Sequence, residues 1–396
     1  MTKEEILSSY ENYICSTYNR TPVIFVKGKG MTLIDIDGKK YLDFFPGWGV
    51  NNVGHCHPKV MSAVRDQISK LIHVPNNFYH PNQAKLAKEI IRNSFAGKVF
   101  FCNSGAEACE TAIKFSHLYG GDNRYEIISM HKSFHGRTLA ALSATGQINY
   151  QKGFAPLLTG FKHVHLNDFD ELQKAVTPKT IAIILEPIQG EGGINVAGKE
   201  YVQKIRKLCD EKKILLIFDE VQTGMGRTGE MFAFKHYGIV PDLMMLAKAL
   251  GGGLPIGALV VKKELADLFK PGMHASTFGG SPLVTKASLG VFAAIQKDNM
   301  LANAKKMGAY IFAELEKLCS EHKSIKEVRG MGLMIGIELH GEGKGIFEAC
   351  LKKGLVINCT QGNVLRFMPA LNVTKKQVDK AMYILDQVLS EAASKG

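Results

Sequence analysis

The run ILLIFDEVQTGMGRTGEMFAFKHYGIVPDLMMLAKALGGG, residues 214–253, decides the fold. It holds two short apolar segments, 214–220 and 242–248, in which apolar residues follow one another without polar alternation. A strand with one face in water alternates, whereas a strand covered on both faces does not, and the covered kind belongs to parallel sheets. Each segment ends on ionisable residues, Asp219-Glu220 and Lys248, and the second opens into three glycines.

The pattern recurs on either side, at 98–103, 125–130, 180–186 and 257–262, with amphipathic helical stretches such as 106–119 and 199–212 between. This alternation predicts an α/β fold whose central sheet is mostly parallel and flanked by helices. The flanks differ. Residues 23–45 read as a hairpin turning at Asp37-Gly38. The C-terminal part reads as a helix (301–322), a strand (334–339), a helix (344–353), a short strand pair and a closing helix (375–393). The expected organisation is a large domain at 61–300 and a smaller α+β domain, built from the N-terminal segment 1–60 and the C-terminal part 301–396. A chain of 396 residues has room for both, since single cores stop growing beyond roughly 250–300 residues.

Composition excludes several classes. An apolar share of 45% and a charged share of 22% suit a folded globular protein. The net charge of +12 comes from scattered lysines rather than a dense basic block, which argues against nucleic acid and for small anions as ligands. The eight cysteines contain no CxxC pair, as expected of free thiols in a reducing compartment. The opening Met-Thr-Lys-Glu-Glu lacks a secretory apolar region, and no apolar run approaches the 18 or so residues of a membrane span. The expectation is a soluble cytoplasmic protein without a membrane partner.

Four polar clusters follow apolar strands, where open α/β sheets bind their ligands. Asn103-Ser104-Gly105-Ala106-Glu107 offers backbone N–H groups and a helix N-terminus to an anion, or is an ordinary helix cap. Ser133-Phe134-His135-Gly136-Arg137-Thr138 sets an aromatic beside an arginine that could fork onto a carboxylate; alone it fits a surface loop as well. Asp219-Glu220-Val221-Gln222 would suit a magnesium site if a GxxxxGK[ST] loop accompanied it, and none does. Its other use is to pair a carboxylate with a protonated ring nitrogen. Lys248, with Gly251-Gly252-Gly253, offers an amine whose proton is loosened by burial, beside a backbone that a bulky cofactor can approach. Together these are a phosphate nest, a stacking ring, a carboxylate and a Schiff-base lysine, the set that pyridoxal phosphate needs.

The same strings resemble a known family. IFDEVQTGMGRTG (217–229), AKALGGGLP (247–255), NSGAEA (103–108), GHCHP (54–58), SFHGRT (133–138), EPIQGEG (186–192) and STFGGSP (276–282) occur in order. They resemble the class III aminotransferases, which implies the fold-type I pyridoxal-phosphate architecture. Within the class, GMGRTG (224–229) and the tract YNRTPVIFVKGKG (18–30) are most similar to enzymes acting on N2-acetylornithine.

The resemblance implies roles residue by residue. Lys248 would anchor the cofactor and then shuttle the proton; Asp219 would pair with the pyridine nitrogen. Gln222 would bond near the ring hydroxyl, and Phe134 would stack on the ring. Ser104, with the N–H groups of Gly105 and Ala106, would hold the phosphate. Thr277 would reach the phosphate of a neighbouring subunit, so a homodimer with sites at its interface is expected. Arg366 and Arg137 would anchor the two carboxylates of 2-oxoglutarate, with Glu191 pairing Arg366 and swinging aside for the diacid. Ser276, Tyr18 and Trp48 complete the expected substrate residues. Trp48 stands where ornithine enzymes of the class carry an aromatic, so free ornithine or another ω-amino acid is the alternative donor. Glu186 reads as a structural brace for its loop. His55 and His57, spaced i, i+2 without a third ligand, read as structural, and no metal is expected.

The implied reaction moves the δ-amine of N2-acetylornithine to 2-oxoglutarate, a step of arginine biosynthesis. A catalytically silent regulatory protein on the same fold is the reading from another class. The joint presence of Lys248, Asp219 and Arg366 argues against it.

Overall fold

Seven strands form the central sheet of the computed structural model, which describes residues 1–394. In spatial order they are Gly97–Cys102, Gly257–Lys262, Leu243–Leu246, Leu215–Asp219, Thr180–Leu185, Glu126–Met130 and Phe161–Val164. Six run parallel, and Gly257–Lys262 alone is antiparallel to both its neighbours. The absence of polar alternation has its expected cause: Thr180–Leu185 and Leu215–Asp219 are buried at every position. Each buried Ile or Leu there contributes about 1.5–3 kcal/mol.

The helices that cover the sheet include Gly105–Gly120 and Lys199–Lys212. Ser104 caps the first, its hydroxyl accepting from the Glu107 N–H at 3.1 Å, which satisfies one of the orphan donors of the first turn. No helix among the described residues is long and apolar enough to cross a membrane.

The N-terminal segment departs from the hairpin expected at 23–45. It is a three-stranded antiparallel meander, Phe25–Lys29, Thr32–Asp35 and Lys40–Asp43. A second turn at Gly30-Met31, with Gly30 at φ 57°, divides what reads as one long arm. A fourth strand, Leu355–Val356, joins in parallel beside Lys40–Asp43 from the far end of the chain. A second C-terminal sheet pairs Ile325–Met331, Met334–Leu339, Val364–Phe367 and Asn358–Thr360.

Arg227 ties these parts together. It is fully buried, and its guanidinium donates to the carbonyls of Leu333 (2.9 Å) and Pro369 and to Asn52 Oδ1. Burial among neutral acceptors pushes its pKa down to about 9.

Candidate active site

A cavity of about 490 Å3 opens along one edge of the central sheet. Its polar lining follows from strand direction: Ser104, Phe134, Glu186, Asp219 and Lys248 each lie at or just beyond the C-terminal end of a parallel strand. The antiparallel strand presents its N-terminal end at the same edge, through Pro255 and Ile256. This is where an open α/β sheet leaves room for a ligand.

Asp219 is buried and accepts two hydrogen bonds. The Val221 N–H donates to Oδ1 at 3.0 Å, and His135 Nδ1 lies 2.7 Å from Oδ2. Because a carboxylate only accepts, the hydrogen is assigned to Nδ1, which leaves Nε2 as an acceptor. The Ser129 hydroxyl stands 3.2 Å from Nε2 and 3.1 Å from the Ser133 hydroxyl, which accepts from the Gly146 N–H at 3.0 Å. The chain therefore has one consistent direction: Gly146 to Ser133, Ser129, His135 and finally Asp219. Such a chain holds the free edge of the Asp219 carboxylate toward the cavity.

Lys248 is half-buried in the cavity wall, in the left-handed region at φ 45°. That conformation costs a residue with a Cβ about 1–2 kcal/mol, and strain of this kind gathers at functional sites. Gly252 and Gly253 continue the turn at φ 58° and 116°, which explains the glycine run. Desolvation lowers the Lys248 pKa, opposed by the charges of Glu191, Asp219 and Glu186. Burial thus favours the neutral, nucleophilic form of the amine over the ammonium.

Glu191 and Arg366 form the second polar pole. Arg366, buried and lying over the Phe45 ring at 4.8 Å, forks onto Glu191 at 2.9 and 3.2 Å. It also donates to Gly190 O (2.8 Å) and Asn358 Oδ1 (2.7 Å). Burial pushes the Glu191 carboxyl up, but the Arg366 guanidinium outweighs this and holds it below the usual range. Gln222 links the poles, its Nε2 donating to Glu191 at 3.3 Å. Glu186 braces the loops, accepting from the N–H groups of Phe134 (2.9 Å) and Gly190 (3.2 Å). Its burial pushes the carboxyl well above the ordinary range.

Of the residues singled out in the sequence, Ser104, Gly105, Ala106, Phe134, Arg137, Asp219, Gln222 and Lys248 all line this one cavity. Arg137 sits at its rim, exposed, with its guanidinium 3.8 Å from the Tyr150 ring centroid. Six others are not part of the lining: Glu191 and Arg366, joined to it through Gln222, and Tyr18, Trp48, Ser276 and Thr277. Tyr18 is exposed beneath Arg20. Trp48 is half-exposed and meets Phe45 edge-on at 6.2 Å, one ring removed from Arg366. Ser276 accepts from Asn103 Nδ2 at 3.2 Å in a turn outside the cavity. Thr277 is exposed on the rim of a separate 710 Å3 groove. His55 and His57 pair with Asp43 (2.7 Å) and Asp298 (3.2 Å). His135 is the residue whose part the sequence left unstated, since nothing in SFHGRT distinguishes a relay histidine from a loop histidine.

The cavity fits a phosphorylated pyridine aldehyde on two observations. Gln222 Oε1 is buried and without a hydrogen-bond partner, so a donor is wanted there. The second is the start of the helix Gly105–Gly120 at the cavity wall, where first-turn N–H groups suit a phosphate; Gly105 is small because a Cβ would stand 3.1 Å from Val221 Cγ1.

Comparison with known proteins points the same way. The family model described as aminotransferase class-III matches residues 13–389. The acetylornithine aminotransferase of Methanocaldococcus jannaschii is 52% identical over 395 residues, 99% of each chain. A solved acetylornithine aminotransferase from Elizabethkingia anophelis superposes with a TM-score of 0.88 at 30% identity, covering 99% of this chain and 100% of that one. A solved ornithine aminotransferase from Toxoplasma gondii, described with partial occupancy of PLP at its active site, gives a TM-score of 0.96 at 30% identity over 100% and 95% of the two chains.

Proposed function

The chain belongs to the class III aminotransferases, and from that premise we propose that it moves the δ-amine of N2-acetylornithine to 2-oxoglutarate, yielding N-acetylglutamate 5-semialdehyde and glutamate. It is a fold-type I enzyme that uses pyridoxal phosphate. The observation that carries the donor is the full-length identity of 42–52% with acetylornithine enzymes. Solved structures from both donor classes stand at 30% and do not separate them.

When bound, the cofactor supplies an aldehyde that captures the amine and a protonated ring that accepts the electron pair left when a C–H proton departs. The chain's own residues do the rest. Lys248, its amine favoured in the neutral form by desolvation, is the base that would take the proton from the donor's Cδ and give it to the carbon of the cofactor's former aldehyde. Asp219, steadied by His135, holds a proton on the ring nitrogen. Ser104, Gly105 and Ala106 receive the phosphate at the helix N-terminus, Phe134 covers a ring face, and Gln222 offers its unpartnered oxygen to the ring hydroxyl. Arg366 and Arg137 anchor the carboxylates of 2-oxoglutarate. With the monoacidic donor bound, Glu191 keeps Arg366 neutralised; for the diacid it turns away. Tyr18, Trp48 and Ser276 border the donor's path.

Thr277 would complete the phosphate site of a second copy, making the enzyme a homodimer. Its exposure, beside exposed Phe278, Phe78 and Tyr79, supports a covered face there. Eight free cysteines support a reducing, cytoplasmic setting. Residues 61–300 make the large domain in this reading, and 1–60 with 301–396 the small one.

The test compares donors. Mixed separately with N2-acetylornithine, ornithine and γ-aminobutyrate, the holoenzyme should convert to its aminated form fastest with the first. Faster conversion with ornithine would transfer the assignment to the alternative donor. Arg366→Gln should lower kcat/KM for 2-oxoglutarate by about 10²-fold or more, the cost of removing one member of a buried charge pair. Cofactor absorbance should stay unchanged; equal loss of both would make Arg366 a structural residue only.

A further inference from the structure

Away from the cavity, the strands Glu126–Met130 and Phe161–Val164 end side by side and gather histidines. The ladder sets Ser129 opposite His163 and Met130 opposite Val164. The His131 N–H donates to Val164 O at 2.8 Å, which extends the ladder one step and brings His131 beside His165. Their ring centroids are 4.6 Å apart, and His163 lies 6.0 Å from His131. Glu171 arrives from the first turn of the helix Phe169–Ala175, positioned by its own N–H donating to Asp168 Oδ1 at 2.8 Å. Its Oε2 accepts from the His165 N–H at 2.7 Å and lies 2.9 Å from His165 Nδ1.

We propose that His131, His165 and Glu171 bind a divalent transition cation, with zinc as the occupant. One ligand atom from each of the three lies within 4.8 Å of the others. Tetrahedral zinc bound at about 2.0–2.2 Å wants its ligand atoms roughly 3.3–3.6 Å apart. The remaining closure of about 1 Å falls to the His165 side chain, which is 70% exposed and is held by Glu171, the other surface ligand. Two imidazoles and one carboxylate, with water in the fourth position, suit zinc, cobalt or nickel; magnesium and calcium favour all-oxygen shells. An exposed His165–Glu171 pair at a helix start would account for two members. It gives no reason for the third, which the sheet register places over them.

The site has a firm side and a soft one. His131 is held by the ladder and by its carbonyl, which accepts from Gln189 Nε2 at 2.8 Å. His165 and Glu171 close from the surface. His131 also begins the loop that carries Phe134 and His135 into the cavity, so a bound cation would tie down the base of that loop.

The test uses the holoenzyme, stripped of metal by a chelator and kept free of amino acids. Titration with Co2+ should give one saturable equivalent per chain with visible absorbance, displaced by Zn2+. Zn2+ should also raise the midpoint of thermal unfolding, as any ligand of the native state does. His165→Ala and His131→Ala should each weaken Zn2+ by at least about tenfold, while His117→Ala, at an exposed position of the helix Gly105–Gly120 outside the cluster, should leave it unchanged. His165 is exposed, so its variant decides the matter should the His131 variant fail to fold. Absence of saturable Zn2+ binding, or binding of native strength in His165→Ala, overturns the proposal.

Discussion

Lys248→Ala is expected to lower turnover by about 10⁴-fold or more, because it removes both the nucleophile that holds the cofactor and the base that moves the proton. The geometry leaves no substitute. The other groups at the cavity's polar poles are carboxylates, the amide of Gln222 and guanidiniums that are already engaged. His135 has its Nδ1 committed to Asp219 and its Nε2 facing Ser129. The variant should fold, since alanine relieves none of the packing in the buried strand before it. It should lose the visible absorbance that borohydride reduction fixes to the native protein. A variant that stays yellow, reducible onto protein and active would show that the cofactor is held elsewhere.

Asp219→Asn is expected to lower kcat by about 10³-fold, the usual effect of removing one preorganised charge from a site. The replacement is nearly isosteric, so packing against Val221 and His135 is preserved, but the amide cannot accept on both sides. Either its NH2 faces His135 Nδ1–H, leaving two donors opposed, or it abandons the Val221 N–H. The loss should fall on the rate of converting the enzyme to its aminated form in a single turnover, while the cofactor stays attached through Lys248. A single-turnover rate within about tenfold of native would mean that the ring proton is held by some other group.

The parts legible in the sequence are those whose signal is local. The strand Gly257–Lys262 and the helices Lys199–Lys212 and Lys375–Ala393 stand where apolar periodicity put them, because burial on both faces, or on one stripe, writes itself into neighbouring residues. The strand Ile325–Met331 went unread: its exposed positions carry Lys326 and Glu327, and only two apolar residues mark its first half. The second partner of Lys40–Asp43 lies more than three hundred residues away, and no local pattern encodes such a pairing. The site divides in the same way. Lys248 and Asp219 stand out as charges at the ends of apolar strands, whereas the relay depends on the loop carrying His135 folding back between Ser129 of its own strand and Asp219 of another. The cluster at His131 requires the register of one strand against the next.

That distant pairing bears on how the chain comes to be made. Synthesis proceeds from the N-terminus, so the meander at residues 25–43 leaves the ribosome long before Leu355–Val356 exists to complete its sheet. Asn52 likewise waits for Arg227, and Arg227 for Leu333 and Pro369. The central sheet can condense in the interval, since its strands lie between residues 97 and 262. Contacts of such long sequence separation are slow to form, and unpaired strand edges invite wrong partners meanwhile. The meander at residues 25–43 is thus among the last parts to find its place, and the edge of Lys40–Asp43 stays open until Leu355–Val356 has been made.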